Sequence, residues 1–235
     1  MNYQIKYDYA VAMQMPSLSN IDPTSVNKSL KQILPEFRKL LFKYKMNKVY
    51  GLCLLHKHFN ISNEELYVRS LKGQRLYLKS LCTSELSKYD LVPYTLKFSN
   101  EDIYVVEYII KSNNVNYADF ESKNELEFIK SVSKLIRENN SEHCFGLQLL
   151  TKVHEKLPEI GYAFIEATDP KTERCEITEM MDISKNKPGD IVITNWSYAP
   201  YSSYRRLITM GCEFYPGGCY TGDKHTTVPD QHIKY

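Results

Sequence analysis

The start of the chain alternates between apolar and polar residues. In residues 3–13 every second residue is apolar or aromatic, and Gln4, Lys6 and Asp8 stand between them. The apolar set is Tyr3, Ile5, Tyr7, Tyr9, Val11 and Met13. Because successive side chains of a strand point to opposite faces, this pattern predicts a half-buried β-strand over residues 3–13.

A helical period replaces the alternation after Asp22-Pro23. Aspartate is a favoured N-cap and proline is tolerated at the first helical position, so this dipeptide predicts the start of a helix. Apolar residues then recur every three or four positions as far as Tyr44, and Pro35 within the run predicts a kink or a break. The opposite face is basic and carries Lys28, Lys31, Arg38, Lys39, Lys43, Lys45 and Lys48.

Several short apolar runs predict strands. Residues 49–59 are strongly apolar, which is typical of a central strand. Further strands are predicted at 92–98, 103–110, 145–153, 161–168, 174–181 and 191–197. Residues 64–87 are ambiguous, because Gly73 fits the turn of a hairpin while the same stretch also fits a broken helix.

A second helix is predicted between the two sets of strands. Ser122 and Glu125 have the spacing of a capping box, in which each residue bonds the backbone of the other. The residues that follow place Leu126, Ile129, Val132 and Ile136 on one face. The helix is expected to end near Asn139.

These elements predict an α+β fold in a single domain, residues 1–235. The expected architecture is a mostly antiparallel or mixed sheet of about seven to nine strands with two main helices packed on it. Residues 198–235 lack periodicity and are rich in Tyr, Gly, Cys and His, so a long irregular C-terminal segment is expected there. The pattern suggests neither an internal repeat nor a domain boundary.

Charge and cysteine content narrow the class of protein. The net charge of +2 excludes a strongly basic protein that coats nucleic acid, and no RNA-binding motif supports that partner. No apolar stretch approaches the roughly 18 residues of a membrane span. The N-terminus has no signal-peptide pattern, so the six cysteines are expected to be reduced thiols in the cytoplasm.

His56 and His58 are the first candidate site residues. They follow a buried strand and, two residues apart, would share one of its faces. Two imidazoles placed in this way can act as ligands of one metal ion or as a general acid and base. The alternative is that both are partly buried and only hydrogen-bonded to their neighbours.

The C-terminal segment supplies further candidate ligands. Cys219 and His225 lie there, but their spacing lacks the tight cysteine knuckle of structural zinc sites. His56 and His58 joined by His225 or Cys219 in the fold would form a site for a divalent metal such as zinc. The alternative is an ordered loop with reduced cysteines.

Aromatic and arginine side chains near this segment fit substrate binding. Trp196, Tyr204, Arg205 and Arg206 would recognise a planar or anionic ligand by stacking and bidentate hydrogen bonds. Equally, the aromatic residues could simply cover the sheet.

Two functions remain open on these grounds. The first is a small soluble enzyme with His56, His58 and His225 as catalytic residues. It would carry out hydrolase- or lyase-type chemistry on a small, perhaps anionic, substrate, with or without a metal. The second is a non-enzymatic binding protein that uses the aromatic C-terminal segment or the lysine-rich first helix.

Overall fold

A computed structural model describes residues 5–99, 102–112, 122–151, 162–168, 175–182, 191–198, 207–213 and 224–229. These segments contain three α-helices, α1 (Tyr9–Met13), α2 (Pro23–Lys43) and α3 (Lys123–Glu138). Short 3-10 turns occupy Leu18–Asn20 and Thr83–Lys88. None of the helices within the described residues has the length and apolar character needed to cross a membrane.

The described segments also contain twelve strands. The first six are β1 (Ile5–Tyr7), β2 (Tyr50–Leu54), β3 (Glu65–Lys72), β4 (Arg75–Cys82), β5 (Leu91–Ser99) and β6 (Asp102–Ile110). The second six are β7 (Phe145–Leu149), β8 (Tyr162–Thr168), β9 (Cys175–Asp182), β10 (Ile191–Tyr198), β11 (Leu207–Glu213) and β12 (Lys224–Pro229).

The strand pairings return to their starting point. In the described part of the chain the order is β6-β3-β4-β9-β8-β11-β10-β2-β7-β5, and β5 also pairs with β6. Strands β1 and β12 attach to β6 and β11. Most pairs are antiparallel, but β1–β6, β3–β6 and β8–β11 are parallel. The predicted α+β class, with a mixed sheet and two main helices, is therefore confirmed.

The two long helices pack on one face of β2 and β7. Tyr50, Leu52 and Leu54 share a hydrophobic core with residues of α2 and α3. Phe128 of α3 lies with its ring centre 5.5 Å from that of Tyr50 and 6.5 Å from that of Phe37 in α2. Because strand side chains alternate, Gly51 and Cys53 face the other side of the sheet.

The two helices and the strands that follow them form an internal repeat. Strand β2 follows α2 as β7 follows α3, and equivalent positions are 95 residues apart, as Lys45 and Asn140 are. These two residues have positive φ angles of 58° and 51°. The N–H after each, on Met46 and Ser141, bonds back to Leu41 and Ile136.

The repeat continues into the pairing of the strands. The N–H of Leu55 donates to Cys144 O, and the N–H of Leu150 donates to Val49 O, each at 2.7 Å. Strand β5 pairs with β7 through Leu96 and Leu147, and β10 pairs with β2 through Trp196 and Leu52. The two halves of the chain are thus related by an approximate two-fold axis through the β2–β7 and β4–β9 pairs.

The N-terminal strand predicted over residues 3–13 is wrong beyond Tyr7. The side chain of Asp8 accepts a hydrogen bond from the N–H of Ala10 and caps α1. Apolar residues four positions apart, such as Tyr9 and Met13, also suit a helix, so the alternation was compatible with both structures. Ala12 of this helix packs against Cys53 and the neighbouring strands.

Two helix details also differ from expectation. Helix α2 continues through Pro35, which lies on its exposed side while Leu34 and Phe37 remain in the core. Ser122 is the N-cap of α3 but its side chain makes no capping bond. Glu125 instead turns inward and accepts a 2.5 Å hydrogen bond from the hydroxyl of Tyr50.

The ambiguous and irregular segments contain strands. Residues 64–87 include the β3–β4 hairpin, whose turn has Gly73 at φ 62°, where glycine is favoured. Strands β11 and β12 lie within residues 198–235, where an irregular segment was expected. Their runs are short and mix Gly, Thr and Cys with apolar residues, which is why no clear period is visible.

Candidate functional site

Five ionisable side chains are buried together on the side of the sheet away from α2 and α3. His56, Arg69, Glu107 and Glu166 are exposed by 5%, 2%, 3% and 1%, and the side chain of His58 by 2%. Burial of a charge costs several kcal/mol unless it is paired and hydrogen-bonded. The partners of these groups therefore decide what the site can do.

Arg69, in the middle of β3, holds two carboxylates at once. Its Nε donates to Glu107 Oε2 at 2.8 Å, and its Nη1 donates to Glu166 Oε1 at 2.6 Å. Its guanidinium carbon also lies 5.0 Å from the ring centre of Tyr94. Burial alone would lower the pKa of Arg69, but Glu107 and Glu166 raise it well above its ordinary value. Arg69 therefore remains a cation.

Glu107, in β6, is the most connected carboxylate of the cluster. It lies 2.7 Å from Nε2 of His58, accepts a 2.9 Å bond from the hydroxyl of Thr95 and pairs with Arg69. Burial alone would raise the pKa of Glu107, but Arg69 and His58 lower it far below its ordinary value. As an ionised carboxylate only accepts, Nε2 of His58 carries a proton and donates it.

His56 lies directly beside His58. The ring centres are 4.6 Å apart, and Nδ1 of His56 is 3.0 Å from the carbonyl oxygen of Leu54, to which it donates. Strand β2 ends at Leu54, and the N–H of Lys57 then donates to the carbonyl of Pro16. Both imidazoles line the cavity among the buried charges, so the two predicted histidines are brought together.

A chain of polar side chains extends from Glu107 across the two halves of the fold. Nε2 of Gln148 lies 3.4 Å from the hydroxyl of Thr95, and the amide of Asn195 donates to Gln148 Oε1 at 2.5 Å. Thr95 and Asn195 are equivalent positions of the repeat, since Thr95 pairs with Gln148 of β7 and Asn195 pairs with Cys53, the equivalent residue of β2. The cluster therefore lies where the halves meet.

A small cavity opens between these groups. It has a volume of about 20 Å³ and is lined among others by Cys53, His56, His58, Tyr94 and Glu107. About 10–15 Å³ measured in this way accommodates one water molecule, so the cavity has room for one. Burial raises the pKa of the Cys53 thiol, which makes it a poor nucleophile.

Among the remaining predicted site residues, Trp196 lies away from this cavity. Trp196 lies in β10, 2% exposed, with its ring edge-to-face on Phe145 in the core beneath the helices. His225 belongs to β12, where it pairs with Cys212 of β11. Cys219, Tyr204, Arg205 and Arg206 lie outside the described residues.

The predicted metal site finds no support in the described part of the chain. No group of three or more His, Cys, Asp or Glu residues there is arranged to hold a metal ion. The imidazoles of His56 and His58 instead donate to Leu54 and Glu107.

Sequence reasoning overlooked the charged members of the cluster. Arg69, Glu107 and Glu166 each interrupt an apolar stretch of a strand, as in Val105-Val106-Glu107-Tyr108-Ile109. A charge at a buried strand position is rare unless it is paired, and this was the available signal. Their mutual partners, which are 38 and 97 residues from Arg69, could not be found from local pattern.

Comparison with known proteins gives no relative: no family model, no curated protein and no solved structure matches this chain.

Proposed function

We propose that the protein is an enzyme in which His58, held by Glu107, transfers protons at the buried cavity. The observation that carries this proposal is the 2.7 Å contact between Nε2 of His58 and Glu107 among buried charges lining a cavity. A carboxylate in this position fixes the tautomer of the imidazole and stabilises the imidazolium formed when it takes a proton. Clusters of buried, perturbed ionisable groups are concentrated at functional sites.

The charge of the cluster favours an uncharged substrate over an anion. Two carboxylates, Glu107 and Glu166, face one guanidinium, and Arg69 already binds both of them. No positive charge of Arg69 is therefore left to neutralise an anionic group. The water-sized cavity beside His58 supports hydrolase- or lyase-type chemistry, in which a water molecule or a proton is transferred.

A non-enzymatic binding protein is the second candidate. The observation that favours it is the exposed basic face of α2, which includes Lys28, Lys31, Arg38 and Lys39. Such a face suits an acidic partner. It leaves the buried cluster without a role beyond folding, and for this reason the enzyme is preferred.

The decisive experiment compares two histidine variants. The wild type, His58→Gln and His143→Gln are incubated with esters, amides and phosphoesters and with a metabolite extract, and products are followed by mass spectrometry. His143 is exposed and does not line the cavity, so it is the matched control. We expect wild-type turnover in His143→Gln and a loss of about 10²–10⁴-fold in His58→Gln. Equal turnover in all three folded proteins, or none in the wild type, would contradict the proposal.

A further inference from the structure

Tyr94 has a buried hydroxyl that forms no hydrogen bond with the part of the chain that the structure describes. It lies in β5, is 1% exposed and lines the cavity that His58 also lines. Its ring faces the guanidinium of Arg69, but among the described residues its hydroxyl has no hydrogen-bond partner. A buried polar group without a partner costs free energy comparable to a lost hydrogen bond, so it requires an explanation.

Other buried polar atoms in the described residues also lack partners, but they are placed differently. The indole N–H of Trp196, the hydroxyl of Thr178 and the amide oxygen of Asn195 belong to residues that do not line the cavity. Tyr94 alone in this set combines an unsatisfied donor with a position on the cavity wall. A molecule in the cavity is therefore the natural acceptor for its proton.

We infer that the Tyr94 hydroxyl binds the ligand of this cavity, and that the ligand is a small uncharged molecule that places a carbonyl oxygen, an atom about the size of one water molecule, in the cavity. The inference deepens the proposed function and rests on it for the role of His58. A carbonyl oxygen accepts the phenol proton, while the two carboxylates of the cluster disfavour an anion.

The surroundings keep Tyr94 a donor. Burial raises the pKa of Tyr94, and the opposing influence of the Arg69 cation is smaller. The phenol therefore retains its proton at neutral pH. A neutral phenol aimed at a carbonyl oxygen stabilises negative charge that develops there during reaction, as other oxyanion-binding donors do.

Thermal unfolding of two matched variants tests whether the hydroxyl is structural. Tyr94→Phe removes an unsatisfied group, so we expect an unchanged or higher Tm. Tyr50→Phe is the control, because the hydroxyl of Tyr50 is equally buried but donates to Glu125. Loss of that bond, worth about 1 kcal/mol, is expected to lower the Tm by about 2–4 °C. An equal fall in Tyr94→Phe would overturn the inference.

Crystals soaked in formamide or in formate test the class of ligand. The two molecules have the same shape and differ in charge. We expect formamide with its oxygen in the cavity, within hydrogen-bond distance of the Tyr94 hydroxyl, no formate there, and no formamide in Tyr94→Phe. An empty cavity in the wild type, or formate in place of formamide, would overturn the inference.

These outcomes are separable from those of the proposed function. If formamide binds through Tyr94 but His58→Gln keeps full turnover, the ligand site stands and the catalytic proposal fails. If turnover depends on His58 while Tyr94→Phe changes neither turnover nor formamide binding, the catalytic proposal stands and the role of Tyr94 is refuted.

Discussion

The two repeat units, α2 with β2 and α3 with β7, have the same backbone conformation but carry different side chains after the strand. Both end their helix on a residue with positive φ and make the same turn bonds into the strand. After the strand, the first unit continues into His56 and His58, whereas the second has the buried Thr151 at the position equivalent to His56. The comparison separates positions that build the fold from positions that carry the candidate site.

The charged residues of the buried cluster also differ between the two halves of the chain. Arg69 in β3 and Glu166 in β8 occupy equivalent places, each in a strand that pairs in parallel with β6 or β11. They carry opposite charges and meet at 2.6 Å. The two halves therefore carry opposite charges at this contact between them, whereas their sequences match where β2 pairs with β7.

The largest expected effect comes from removing the cation of this contact, Arg69. Arg69→Met would leave Glu107 and Glu166 buried without their cation, and we expect it to lower the free energy of unfolding by about 3–5 kcal/mol. Urea denaturation measures the change. Glu166→Gln is the control, because it leaves Arg69 paired with Glu107, and it should cost less. A smaller loss for Arg69→Met than for Glu166→Gln would reverse the assignment of Arg69 as the centre of the cluster.

An intermediate effect on the free energy of unfolding is expected at Gly51 and Gly146, which occupy equivalent positions of the repeat. An added methyl group at Gly146 would collide with the carbonyl oxygen of Leu96 and with the Leu55 side chain. At Gly51 the nearest atoms are Asn195 Oδ1 at 3.0 Å and the backbone oxygen of Trp196 at 3.1 Å, so the crowding is milder than at Gly146. We expect Gly146→Ala to cost about 3 kcal/mol and Gly51→Ala about 1 kcal/mol or less, measured by denaturation. Equal losses of stability would contradict this prediction, because they would mean that a methyl group fits equally well at both glycines.

The smallest effect concerns the helix ends. Lys45 adopts a positive φ that strains a residue with a side chain, whereas Asn140 tolerates it better. Lys45→Gly should therefore raise the free energy of unfolding by about 0.5–1 kcal/mol, and Asn140→Gly by less. Calorimetric Tm values of the two variants measure the difference. A fall in stability for Lys45→Gly would show that its side chain contributes more than its backbone strain costs.

Local signals predicted the elements that depend on local chemistry. Asp22-Pro23 begins α2 as expected, and Asp22 caps it through the N–H groups of Thr24 and Ser25. The helical period of α3 was equally clear. The repeat was also visible in principle, since Tyr50-Gly-Leu-Cys-Leu-Leu55 matches Phe145-Gly-Leu-Gln-Leu-Leu150 closely. It was missed because the flanking residues have diverged.

The candidate site was only half predictable for a physical reason. His56 and His58 are adjacent to a strand end, so their proximity follows from local geometry. The partner of His58 is Glu107, 49 residues away, and it reaches the histidine only because β6 closes the ring of strands. A local pattern contains no information on such pairings.

The closure of the strand ring also has a consequence for synthesis. Strand β2 lies between β7 and β10, both of which leave the ribosome long after it. The first half of the chain therefore emerges with the apolar residues of β2 exposed and no partner strand yet made. Folding must wait for most of the chain, so the protein is expected to fold as one unit after translation and to need protection from aggregation until then.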